Sequence, residues 1–125
     1  MMKKVDVAII GGGPASIYAA YEFVLKYPKA QVLILEEGHA IDFRSCPIIA
    51  GKVEKCVRCT PCSIMRGFGG AGAFSDGKYN FTTEFGGWLS DYIPKKTVMD
   101  LIDYVDEINL KHGAPGEVKS EAKRS

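Results

Sequence analysis

An apolar run from Val5 to Ile10 leads straight into Gly11, Gly12, Gly13 and Pro14, and a second apolar run, Val32 to Leu35, ends on Glu36. Nothing else in the chain narrows the fold as much. Strand, glycine turn, helix, strand and acid follow one another in the order of a βαβ unit that grips a dinucleotide, which implies an α/β chain with a Rossmann-like parallel sheet. The glycines serve clearance: Gly11 permits the tight turn, and Gly13 lets phosphate oxygens approach main chain where any Cβ would collide. Pro14 suits a first helical position whose N–H would be unpaired anyway, and Ala15 and Ser16 complete the entry to the helix. Ser16 stands where a third glycine is usual, and serine still allows close packing. The unpaired N–H groups of that helix then face a pyrophosphate. Glu36 lies where the fingerprint places an acid for ribose hydroxyls, about 20 residues on, and Glu37 is the weaker candidate. Two other readings fit the same residues: a purely structural βαβ with no ligand, and a nicotinamide-binding dehydrogenase.

The rest of the chain is organised around this unit. In the first helix Ile17, Ala20, Tyr21, Val24 and Leu25 recur at helical spacing up to a break at Pro28. Val32 to Leu35, unbroken and apolar, reads as an interior strand covered on both faces. From Gly38 the periodicity is lost while glycine, proline and cysteine accumulate, and a loop of that length in a compact domain is usually functional. After Pro94, Val98, Leu101, Ile102, Val105 and Ile108 mark one helix face that Gly113 can end. The expected segments are therefore a dinucleotide-binding βαβ over 1–37, a Cys- and Gly-rich insertion over 38–93, an amphipathic helix over 94–113 and a polar tail over 114–125. Two confident parallel strands leave much apolar surface uncovered unless another chain or further residues cover it, so the chain is expected to be a fragment of a larger protein.

With 46% hydrophobic and 25% charged residues and a formal net charge of +1, the 125-residue chain has the balance of an ordinary folded protein. Its lysines are dispersed, so no broad basic face is expected for nucleic acid. No run is long enough to span a bilayer, which leaves no expected membrane partner and the cytoplasm as the default location.

Cys46, Cys56, Cys59 and Cys62 include a C-x2-C-x2-C triplet. With Cys46 as fourth thiolate, the set suits an iron–sulfur cluster or a tetrahedral zinc site. Redox-active thiols and merely packed thiols are the other readings. A chain that is only a cysteine-rich metal-binding module, without catalysis, would carry the same pattern. His39 and His112 lack a nearby acid, Arg44 and Arg66 read as solvated or as anion ligands, and Tyr79, Phe81, Phe85, Trp88 and Tyr92 read as pocket or core aromatics.

Gly11 to Ala15 with Glu36 looks like the amino-terminal FAD-binding motif of flavin-dependent dehydrogenases. The stretch from Gly67 through Gly69, Gly70 and Gly72 to Ser75, Asp76, Gly77, Lys78 and Asn80, together with Cys46-Pro47 and the Cys56 to Cys62 cluster, resembles a little-characterised family of FAD-dependent dehydrogenases over about Val5 to Gly113. The resemblance implies an FAD cofactor and an oxidoreductase activity in a much longer protein. It also implies a flavin-facing segment that includes Gly70, Ser75, Asp76, Gly77 and Lys78. A glycine-rich backbone can lie flat against a planar ring, and a lysine beside a reduced, anionic flavin would raise its reduction potential.

Overall fold

A computed structural model of the chain describes residues 4–75, 77, 79–84 and 86–116. Two strands, β1 (Val7–Ile10) and β2 (Val32–Leu35), pair in parallel with Val7 opposite Val32 and Ile10 opposite Leu35. Parallel pairing needs a crossover, and α1 (Pro14–Lys26) provides it and packs against both strands. The ladder is extended at either end by main-chain bonds: Gly11 N–H donates to the Leu35 carbonyl (2.7 Å), and Val7 N–H to that of Gln31 (3.2 Å). Gln31 N–H is in turn held by the Asp6 carboxylate at 2.8 Å.

The sheet differs from the expectation for β2. Among the described residues it has two strands only, so a complete doubly wound sheet is not present there. One helix covers one face of such a ribbon. Val7 and Ile9 are accordingly half-buried, whereas Ile10 is 78% exposed and Leu35 is exposed as well. β2 is therefore not covered on both faces.

Helix α1 begins where the sequence places it, with Gly13 as N-cap, Pro14 at the first position, and Ile17 N–H donating to the Gly13 carbonyl at 3.1 Å. Its buried stripe is rotated from the expected one. Ser16, Ile17, Ala20, Tyr21 and Phe23 are half-buried, while Val24 and Leu25 face solvent. Phe23 takes the inner position and meets the Tyr27 ring at 5.0 Å between centroids, which closes the helix end ahead of Pro28. Lys26 in the last turn complements the helix dipole.

Two compact units partition the described residues, one ending at Gly77 and the other starting at Tyr79. Beyond β2 the first unit consists of loops with two short 3-10 turns, Ile41–Phe43 and Gly70–Phe74. The second unit holds α2 (Leu89–Tyr92) and α3 (Lys95–Lys111), the latter with Val98, Ile102, Val105 and Ile108 buried or half-buried on the predicted face and Leu101 exposed. Val98, on α3, is the most deeply buried apolar side chain among the described residues, at 6% exposed. It borders a groove of about 250 Å³ shared with Phe81, Leu89, Leu101, Ile102 and Val105. Gly113, at φ +99°, ends the helix in the left-handed conformation, and Ala114 N–H returns to the Asn109 carbonyl at 3.0 Å. Of the aromatics expected in a pocket or core, Phe81 is half-buried in this groove and Tyr79 lines it while exposed, whereas Trp88 is 76% and Tyr92 84% exposed and Phe85 lies outside the described residues.

Candidate functional site

The three glycines between β1 and α1 do three different things. Gly11 has φ +95°, which a side chain rarely adopts. Gly12 is buried, and a Cβ there would meet the Glu36 side chain at 3.1 to 3.3 Å. Gly13 has φ −77° and ψ 177°, ordinary for any residue, and a Cβ on it would have open space within 4 Å. The first turn of α1 has no side-chain cap. Its leading N–H groups therefore have no intrahelical acceptor, Pro14 having none to offer, and the free face at Gly13 is the approach to them.

Glu36 closes β2 beside this turn. One carboxylate oxygen accepts N–H from Gly12 (2.5 Å), and the other accepts those of Gly38 and Gly67 (2.9 Å each). The hydrogen bond from Gly38, then that from Gly12, hold its carboxyl below the ordinary carboxylate range against the opposing effect of desolvation, with Gly67 and the Arg44 charge adding to the lowering. Glu36 is thus ionised at neutral pH, and it joins three loops by their main chain. A carboxylate has about four acceptor positions, so one remains for a ligand hydroxyl.

The counterpart of Glu36 is Arg44, which sequence reasoning placed in solvent or on an anion. It is 7% exposed and donates to four carbonyls: Nε to Ser63 (2.9 Å), one terminal nitrogen to Phe68 (2.8 Å) and Gly70 (2.7 Å), the other to Ile64 (2.9 Å). The Phe74 ring lies 4.9 Å from its guanidinium carbon. No sequence signal marked it, because an arginine that binds backbone at varied positions has no fixed spacing to its partners.

Between them these two side chains seat the glycine-rich segment on the turn between β1 and α1. Gly69 N–H donates to the Gly12 carbonyl (2.8 Å), and Phe68 N–H to that of His39 (3.0 Å). Gly67 is buried, and a Cβ on Gly38 would come within 2.5 Å of its nitrogen. Gly70, at φ +61°, faces Pro14 and Gly13, 3.1 and 3.3 Å from where its Cβ would be. Gly70 is thereby brought together with Gly13 and Pro14. Ser75 is exposed, its hydroxyl accepting Gly77 N–H at 3.1 Å, and Asp76 and Lys78 lie outside the described residues. Glu37 points away from this cluster into an exposed ion pair with Arg66 at 3.1 Å.

The four cysteines are free thiols, and among the described residues no group of three or more His, Cys, Asp or Glu is placed to hold a metal ion. The expected iron–sulfur or zinc set of Cys46, Cys56, Cys59 and Cys62 is not brought together as such a group among the described residues. Cys59 and Cys62 instead line a cleft of about 510 Å³ with Thr60, Pro61, Met65 and Arg66. The main-chain N–H groups of Met65 and then Ile64, with the charges of Arg66 and Arg44, hold the Cys62 thiol below its ordinary range, outweighing desolvation. No helix of the described residues is long and apolar enough to cross a membrane.

The chain is 32% identical over 121 residues to an uncharacterized protein of Clostridium beijerinckii, a match that covers 96% of this chain and 19% of that protein. The chain thus spans about a fifth of the length of that relative. No protein-family profile matches it. No solved structure matches it either.

Proposed function

We propose that the unit built on β1, α1 and β2 binds the ADP part of FAD, as the amino-terminal portion of a Rossmann-like, flavin-dependent oxidoreductase. The observation that carries this reading is the uncapped start of α1, open at Gly13, with an ionised carboxylate beside it at the end of β2. Main-chain donors concentrated at a helix start attract a diphosphate, and Gly13, Ala15 and Ser16 supply them. Glu36 has an acceptor position left for one ribose hydroxyl. The open approach at Gly13 fits a phosphate oxygen where a side chain would block it.

In this reading Gly70 narrows the site from the opposite side, and Ser75 and Gly77 belong to the flavin-facing stretch. When bound, the flavin supplies the two-electron redox chemistry, and the chain contributes binding and orientation. In this reading the oxidoreductase activity belongs to a protein longer than this chain, which spans about a fifth of the Clostridium relative. Titration of the purified chain with FAD, ADP and NAD by calorimetry tests the proposal. FAD and ADP binding competitively at one site per chain is the expected result. Failure of both to bind refutes it, and binding of NAD in preference to FAD assigns the site to a nicotinamide cofactor instead.

A further inference from the structure

The cysteine triplet is not absorbed by the nucleotide site, and the fold divides it. Of the four thiols, only Cys59 and Cys62 line the cleft with Met65 and Arg66. Cys56 is exposed elsewhere, its sulfur accepting only Arg58 N–H at 3.4 Å. We propose that Cys59 and Cys62 form a dithiol/disulfide couple that exchanges electrons with small disulfides entering this cleft. This reaction is independent of nucleotide binding.

The two residues differ in a way that assigns their roles. Cys62 is half-buried at the start of the turn formed by residues 62–66, where Met65 and Arg66 N–H close onto its carbonyl at 3.2 and 2.9 Å. In that turn the Ile64 and Met65 N–H groups also face its sulfur. These donors and the Arg66 guanidinium stabilise negative charge on sulfur, the condition for a nucleophilic thiol. Cys59 is exposed and three positions away, the spacing at which a second thiol can reach the first within one turn of chain. Arg66 at the cleft wall is paired with Glu37 at 3.1 Å, so the wall carries little net charge and the cleft does not select a substrate by charge. The favoured substrate is therefore a low-molecular-weight disulfide small enough to enter the cleft.

The step balances without another reactant. The Cys62 thiolate attacks one sulfur of RSSR, forming a protein mixed disulfide and expelling RS⁻. Cys59, losing its proton to solvent, attacks the Cys62 sulfur, forming the intramolecular disulfide and expelling the second RS⁻. Two protein thiols are oxidised by two electrons and RSSR is reduced to two thiols.

Oxidised glutathione is the probe. The reduced chain is incubated with it, quenched in acid and mapped by peptide mass spectrometry. A Cys59–Cys62 link forming at least about tenfold faster than glutathionylation of Cys46 or Cys56 is expected, as thiol reactivity follows the local environment. Cys59→Ser should accumulate the mixed disulfide at Cys62, and Cys62→Ser should react no faster than the other thiols. Equal reaction of all four cysteines, or a Cys56–Cys59 link formed as readily, overturns the proposal. The mapping of the unsubstituted chain decides even if a variant fails to fold.

Discussion

Gly13→Ala separates a glycine kept for a ligand from glycines kept for the fold. At φ −77° and ψ 177° alanine is unstrained, and its methyl meets no atom within 4 Å. Alanine is a poorer N-cap than glycine by about 0.5 kcal/mol, and restricting the unfolded chain returns about 0.4 to 1 kcal/mol, so folding stability should stay within about 0.5 kcal/mol. Binding is another matter. The methyl occupies the approach to the first-turn N–H groups, and each charge-assisted bond to phosphate contributes about 1.5 to 3 kcal/mol. Losing two such bonds weakens ADP and FAD by at least about 100-fold, at 1.4 kcal/mol per tenfold. Gly38→Ala provides the contrast. Its Cβ would sit 2.5 Å from Gly67 N and 2.6 Å from Gly67 Cα, so the loop must move, and both stability and binding should fall. Calorimetric titration beside thermal unfolding reads both quantities on the same samples. A Gly13→Ala chain that melts like the parent and binds ADP equally well would refute the placement of the diphosphate.

Replacing Arg44 by Met removes four hydrogen bonds from a charged donor, at about 1.5 kcal/mol or more each, offset by several kcal/mol of relieved desolvation. A net loss of about 2 to 3 kcal/mol should raise amide hydrogen exchange of Phe68, Gly69 and Gly70 by about 30- to 150-fold, at 1.4 kcal/mol per tenfold, and unchanged exchange would contradict the clasp. Glu36, whose folded-state carboxyl titrates below its ordinary range, contributes stability that is present above the unfolded value, about 4.3, and is lost as pH falls through the lower folded value. Acid unfolding followed by circular dichroism should therefore flatten in Glu36→Gln over that window while staying level between pH 6 and about 8. In the second unit Val98→Ala opens a space beside the existing groove and should cost about 1 to 2 kcal/mol, read from denaturant unfolding by Trp88 fluorescence.

What could be read in advance was the part governed by periodicity and by single-residue conformational needs. β1, β2, the start of α1 at Pro14 and the span of α3 follow from apolar spacing, proline and glycine, all of which act within a few residues. The rotation of α1 toward Phe23 was not legible, because its apolar positions support two neighbouring stripes and only packing against β1 and β2 chooses between them. Gly12 and Gly38 were passed over for a similar reason: the atoms that exclude a side chain there, those of Glu36 and Gly67, come from distant parts of the chain. The loop after β2 looked structureless since its order resides in hydrogen bonds to main chain, which impose no residue type on the accepting or donating position.

That order has a physical logic. A two-stranded ribbon with one helix cannot bury enough apolar surface to hold a long loop by hydrophobic contact, and in the first unit the buried positions are Gly12, Arg44 and Gly67. Ionised side chains substitute for a core. Glu36 gathers N–H groups from three loops and Arg44 gathers carbonyls from the segment Ser63 to Gly70, so opposite polar ends of the same loops are satisfied by opposite charges. In the proposed nucleotide site, Glu36 and Arg44 hold the turn at Gly13 and the backbone at Gly70 in register, which spares the binding step the ordering of some thirty residues of loop, each worth roughly 1 to 2 kcal/mol of entropy if left free. On this argument the affinity of the site is set as much by Arg44 as by any residue that would contact the nucleotide.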